Sequence, residues 1–120
     1  MELWTEATPN GWKVAIMIEE LKEAGVDLPP VELRRVSLAE REQFSEAFTA
    51  ISPNQKIPGL VDGEQTLMES CAILLYLAEK YPSSLLPEGP ARWNVVQWLF
   101  WQAAGLGPTF GNKLSYTLYI

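Results

Sequence analysis

The sequence predicts an α/β fold whose elements run β-α-β-α-β-β-α, followed by a separate helical segment. Three observations point to it. An alternating pattern opens the chain and gives way to an apolar stripe at helical spacing. Asp62-Gly63, a dipeptide that favours tight hairpin turns, lies between two short strand-like runs. A stretch rich in Ser, Pro and Gly, residues 83 to 90, then separates this pattern from a segment apolar on almost every side of a helical wheel.

Met1, Leu3, Thr5 and Ala7 alternate with Glu2, Trp4 and Glu6, as in a short strand with one side buried. Thr8 then suits an N-cap and Pro9 the first helical position. Val14, Met17, Ile18 and Leu21 follow at i, i+3, i+4 and i+7, and Gly25 ends the helix by taking a left-handed conformation. Val31 to Val36 reads as a second strand, and residues 39 to 50 as a short helix with Phe44, Ala47 and Phe48 on one face. Lys56 to Val61 and Gln65 to Met68 form the hairpin. A third helix runs from Glu69 to Tyr81, closed by Pro82. Ala91 to Ala104 reads as a fourth, with Trp93, Trp98 and Trp101 as core or interface before substrate pocket. The sixteen residues after Ala104 cannot supply the several helices it would pack on, so the chain is expected to be cut short, with Leu114 to Ile120 as an apolar terminus.

Composition excludes several chemistries. Nine Lys plus Arg against fifteen Asp plus Glu leave a net charge of −6 in 120 residues, which disfavours nucleic acid as a partner. With no histidine, no Ser-His-Asp or Cys-His pair and no His-type zinc site can form. One cysteine makes neither an internal disulfide nor a Cys-x-x-Cys pair, and Cys71 is expected as a buried structural thiol. No metal is expected. The start of the chain lacks a signal pattern and no stretch approaches the ~20 apolar residues of a membrane span, so a cytoplasmic protein without membrane contact is expected.

Three places could carry chemistry. Thr8-Pro9-Asn10-Gly11 fits either an ordinary helix cap or an anion site, where free amides, the helix dipole, the Thr8 hydroxyl and the Asn10 carboxamide stabilise a thiolate supplied by a ligand. Ile57-Pro58 fits either an edge-strand proline or a cis bond that turns the Ile57 backbone toward a peptide-like ligand. Glu69-Ser70 fits either everyday capping or a grip on an α-amino acid head group, carboxylate on Ser70 and helix amides, ammonium on Glu69. Gln43 and Lys56 are polar residues near the same cleft.

Taken together, the element order, the Ile57-Pro58 strand and Glu69-Ser70-Cys71-Ala72-Ile73 resemble the thioredoxin-like N-terminal domain of cytosolic glutathione transferases. Ser52-Pro53-Asn54-Gln55-Lys56 and Gln97-Trp98-Leu99-Phe100-Trp101-Gln102, with Gly105, Gly107 and Pro108, are similar to the Nu class, which includes bacterial disulfide-bond oxidoreductases. The resemblance implies a thioredoxin-like glutathione-binding domain over residues 1–82, a linker at 83–90, and over 91–120 the incomplete start of an all-α domain. It also implies roles. Thr8 and Asn10 hold the glutathione sulfur as the catalytic pair; Ile57, ahead of a cis Pro58, pairs with the cysteinyl backbone; Glu69 and Ser70 bind the γ-glutamyl end; Gln43 and Lys56 reach the rest of the tripeptide. Thioredoxin has a Cys-x-x-Cys where Thr8 to Gly11 stands here, so the thiol comes from glutathione, the substrate.

The implied function is activation of that thiolate for conjugation to a small electrophile or for exchange with a disulfide. The alternative is a non-enzymatic glutathione-binding regulatory module or an inactive truncated fragment. A homodimer is expected at full length, and weak binding with poor turnover from this chain alone.

Overall fold

A computed structural model describes residues 1–118, and Tyr119 and Ile120, the last residues of the expected apolar terminus, lie outside them. The chain divides into two compact units, Met1–Leu85 and a second from Leu86 onward.

The first unit contains β1 (Glu2–Thr5), α1 (Pro9–Glu23), β2 (Glu32–Arg35), a 3-10 turn (Glu42–Phe44), α2 (Glu46–Ile51), β3 (Gly59–Asp62), β4 (Gln65–Met68) and α3 (Ser70–Lys80). The strands lie in the order β2-β1-β3-β4, β1 parallel to β2 and the other two pairs antiparallel. This is the thioredoxin-like mixed sheet. Leu3 and Leu60 pair across β1 and β3 and are buried with Val14, Ile18 and Leu21 of α1 and Ile73 and Leu77 of α3. Burying each such side chain stabilises the fold by ~1.5–3 kcal/mol. Trp4, next to Leu3 and so on the opposite face, meets the fully buried Phe48 of α2 at 6.3 Å between ring centroids.

Helix α1 ends as its sequence dictates. Gly25 has φ +84, its amide donates to Lys22 O, and the Val26 amide donates to Leu21 O, which together make a Schellman cap.

Several elements differ from expectation. The helix expected over 39–50 is split, because Ser45 is extended (φ −61, ψ 152) and its hydroxyl accepts the Phe48 amide to start α2 afresh. Phe48 is therefore buried, while Phe44 and Ala47 are exposed. β1 ends at Thr5, leaving Ala7 outside it, and β3 begins at Gly59, since Pro58 has no amide to offer a ladder. The hairpin turn is Gly63-Glu64, Gly63 at φ +61, because Asp62 still pairs with Gln65. Cys71 is half-buried rather than buried.

The second unit is helical: α4 (Pro90–Trp101), a π-helical turn (Gln102–Leu106) and α5 (Gly107–Leu118). Pro108 lacks an amide and its ring opposes the carbonyl four residues back, so the wider turn falls just where α-helical bonding fails. Trp93, Trp98 and Trp101 are 68%, 61% and 53% exposed, so they form no core within this unit. Among the described residues no helix is long and apolar enough to cross a membrane.

Candidate functional site

Strand register decides where the three singled-out places meet. Trp4 pairs with Gly59, and Gly59 pairs with Met68. The turn leaving β1, the segment entering β3 and the residues leaving β4 therefore all emerge at one end of the sheet. β2 runs parallel to β1, so the segment carrying Gln43 leaves there too, tied back by the Val36 amide donating to Thr5 O at 2.8 Å. This end holds Thr8, Asn10, Gln43, Lys56, Ile57, Pro58, Glu69 and Ser70.

Both helices that begin here begin without a side-chain cap. Thr8 is the N-cap of α1, extended at φ −132 and ψ 161, with Pro9 at N1, yet its hydroxyl makes no capping bond and no acidic residue stands in the first turn. Ser70 is the first residue of α3 rather than its N-cap. The cap position is Glu69, at φ +73 and ψ 113, again without a side-chain cap. A non-glycine residue there costs on the order of 1–3 kcal/mol, and such strain concentrates at ligand sites. Two helix starts without a side-chain cap thus bring partial positive charge to the same end of the sheet.

The Ile57-Pro58 bond is cis, and Pro58 is buried. The loop that delivers it is held from inside. Ser52, fully buried, donates from Oγ to Lys56 O at 2.9 Å; the Gln55 amide donates to Ser52 O at 2.8 Å; and Gln55, left-handed at φ +58, donates from Nε2 to Thr49 Oγ1 at 3.2 Å. Lys56 and Asn10 are exposed. Gln43 is half-buried within its 3-10 turn, and its Oε1 is buried with no hydrogen-bond partner among the described residues. A buried acceptor left open costs ~1–3 kcal/mol, a cost that a ligand's N–H would remove. The turn itself is fixed by Glu42, whose Oε2 accepts the Ser37 amide at 2.6 Å.

The sequence names Gly11 and Ser52 as motif members but not their supporting role, and Glu6 only as a strand residue. Gly11 is buried, and a Cβ there would lie 2.3 Å from Glu6 O and from Thr5 Oγ1, so only glycine lets α1 start so close to the turn. Ser52 opens the Ser52-Pro53-Asn54-Gln55-Lys56 motif, but nothing in the sequence shows that it is fully buried. Glu6, where the strand pattern asked for a solvent-facing residue, has a side chain only 16% exposed and ion-pairs with Arg35 at 3.2 Å. A charge continuing a strand that is otherwise about to turn was the available signal. Among the described residues no group of three or more His, Cys, Asp or Glu is placed to hold a metal. A hollow of about 450 Å3 lined by residues such as Met1, Pro30, Val31 and Gly63 includes none of the candidate residues.

A four-stranded mixed sheet in the order β2-β1-β3-β4 with a cis proline entering β3 defines the class of thioredoxin-like folds. The chain belongs to the glutathione S-transferase family: residues 5–88 match the family model of the Glutathione S-transferase N-terminal domain. Within it the chain is of the Nu, YfcG-like type. It is 45% identical over 120 residues to the disulfide-bond oxidoreductase YfcG of Escherichia coli, covering 94% of this chain and 53% of that protein. A glutathione transferase family member from Pseudomonas fluorescens, solved with two glutathione bound, superposes with a TM-score of 0.82 at 42% identity over 92% of this chain and 48% of that one. A glutathione transferase from Pseudomonas putida, solved with one glutathione disulfide per subunit, gives 0.87 at 38% identity, covering 99% and 52%. The chain spans about half the length of the curated relatives it matches, 47% and 53% of the first two.

Proposed function

We propose that this chain binds glutathione at the end of the sheet where β1, β3 and β4 meet their turns, and that it stabilises the glutathione thiolate. The observation that carries the reading is the pair of uncapped helix starts, at Thr8 and at Glu69-Ser70, flanking the Ile57-Pro58 segment. Thr8 and Asn10 act on the sulfur. Ile57 pairs with the cysteinyl backbone beside Pro58. Glu69 takes the γ-glutamyl ammonium, Ser70 and the α3 amides take its carboxylate, and Gln43 and Lys56 take the glycyl end.

A free thiol titrates near ~8.5, and each unit of depression needs ~1.4 kcal/mol of preference for the thiolate. One hydroxyl donor and a helix start supply about that much. The thiolate then attacks a disulfide sulfur, forming a mixed disulfide and expelling the other sulfur as thiolate; a second glutathione releases glutathione disulfide, so two thiols are oxidised as one disulfide is reduced. The same thiolate displaces a leaving group such as chloride from an electrophilic carbon, giving a conjugate. Relatives named disulfide-bond oxidoreductases favour exchange as the principal outcome. The wider reading places residues 1–82 as the glutathione-binding domain, 83–90 as linker and 91–120 as the opening of a helical domain. It sets the protein in the cytoplasm, where glutathione stays reduced. The whole protein is read as a homodimer, a reading the exposed aromatics of α4 support.

Calorimetry with reduced and oxidised glutathione tests binding; turnover of a chloronitrobenzene and of a small disulfide tests chemistry. We expect weak binding by the 120-residue chain and an ultraviolet thiolate titration of bound glutathione shifted below that of the free thiol. Thr8→Ala returns that titration about one unit toward the free value, a tenfold loss of thiolate below the pKa. Bound glutathione that titrates like free glutathione would overturn the catalytic assignment.

A further inference from the structure

We infer that Glu6, tethered by Arg35, is the positioning residue of the turn that carries Thr8. The inference rests on the glutathione reading above and adds to it a residue that never touches the ligand.

Glu6 holds the turn through both its backbone and its carboxylate. Its main-chain oxygen accepts the Thr8 amide at 2.8 Å, closing a three-residue turn, and Gly11 packs against that same oxygen so tightly that no side chain fits. Its carboxylate Oε1 accepts the Ala7 amide at 2.9 Å, and both carboxylate oxygens accept from Arg35 Nε at 3.2 Å. The Ala7 amide first, then the Arg35 hydrogen bond, hold the Glu6 carboxyl below the usual carboxylate range, with the Leu38 amide adding to the effect. One side chain therefore fixes the amide just before Thr8, the end of β2, and the start of the segment that leads to Gln43. Arg35 has a second role. A carboxylate two residues from a thiolate site raises the energy of that thiolate, and the guanidinium against it cancels the charge. Glu6 first, then Glu40 and Glu42, raise the Arg35 pKa and hold its charge in place.

The side chain's amide-accepting role and its charge make separable predictions. Glu6→Gln keeps an oxygen for the Ala7 amide and removes the charge, whereas Glu6→Ala removes both. Arg35, three-quarters exposed, can be replaced without a cavity. The experiment is the thiolate titration of bound glutathione on the full 120-residue chain, with calorimetric affinity and thermal unfolding measured alongside. We expect Glu6→Ala to raise the bound thiol's pKa by about one unit, tenfold in thiolate, and Glu6→Gln to restore it. Arg35→Ala raises it by about half that, and Glu6→Ala with Arg35→Ala is no worse than Glu6→Ala alone. A Glu6→Ala titration equal to wild type, or a Glu6→Gln variant as impaired as Glu6→Ala, overturns the positioning role. If Glu6→Ala does not fold, the Arg35→Ala and Glu6→Gln titrations decide, the inference failing if Arg35→Ala leaves the thiol pKa unmoved. Wild-type protein that binds no glutathione sinks the functional reading instead, a distinguishable failure.

Discussion

The two ends of the sheet in the first unit treat their polar groups in opposite ways. At the far end, Asp62 closes on itself a complete local network: its Oδ2 accepts from Tyr76 Oη at 2.8 Å and from the Lys80 ammonium, which also lies over the Tyr76 and Tyr81 rings. At the near end, two helix starts lack side-chain caps, Glu69 and Gln55 hold positive φ, and Gln43 Oε1 finds no partner among the described residues. The same strands carry both ends, so the sheet's own stability does not explain the difference. The far end satisfies its polar groups within the fold, whereas the near end keeps strained backbone and an unpartnered acceptor, which the proposed glutathione site accounts for.

Substitutions at each end sharpen that contrast. The largest effect is expected for Gly11→Ala, whose Cβ would sit 2.3 Å from the main-chain Glu6 O and from the Thr5 side-chain Oγ1; overpacking of this kind costs about 3 kcal/mol in urea unfolding and disrupts the Thr8 turn with it. Asp62→Asn follows at about 1.5–2 kcal/mol, the lower part of the range for hydrogen bonds to a charged group because Lys80 is partly exposed. Its signature is the pH dependence. The Lys80 hydrogen bond first, with help from Tyr76 and against partial burial, holds the Asp62 carboxyl below the usual range. Stability from a lowered carboxylate is present in full above the unfolded value near ~4 and is lost as pH falls through the folded one. Wild type should therefore lose stability between about pH 5 and the folded pKa of Asp62, and Asp62→Asn should flatten that part of the curve. The smallest effect carries the opposite sign. Glu69→Gly relieves the backbone at φ +73 and should stabilise the chain by about 1 kcal/mol while weakening glutathione binding in calorimetry. A site residue whose removal stabilises the fold is what distinguishes the near end from the far one.

Much of this was legible in the sequence because periodicity and turn chemistry are local. Val14, Ile18 and Leu21 are buried where the helical stripe put them, and Gly25 caps α1 by the conformation only glycine takes freely. The element order follows from such signals, and strand register then carries Thr8, Ile57 and Glu69 to one place. What failed was either a boundary or a long-range contact. The helix expected over 39–50 broke at Ser45 because one hydroxyl offered the backbone a better start three residues before Phe48. Glu6 and Arg35 lie far apart in sequence, and although a charge at Glu6 is unusual there, only the pairing of Thr5 with Arg35 brings the two side chains together. Ser52 stands in a motif the sequence offers, but its complete burial and its bond to Lys56 O depend on how the loop folds back. The second unit shows the complementary case. Its apolar surface was legible, but the π-helical turn at Gln102–Leu106 follows from Pro108 acting on carbonyls a full turn earlier, an effect composition alone does not locate.

Backbone amide shifts recorded while glutathione is added to the 120-residue chain test the near-end assignment most directly. Shifts confined to Thr8, Asn10, Ile57, Glu69 and Ser70 and their neighbours, with Asp62, Tyr76 and Lys80 unmoved, are the predicted result. Saturable shifts centred on Asp62 and Lys80, or on the hollow beside Met1 and Pro30, would contradict it.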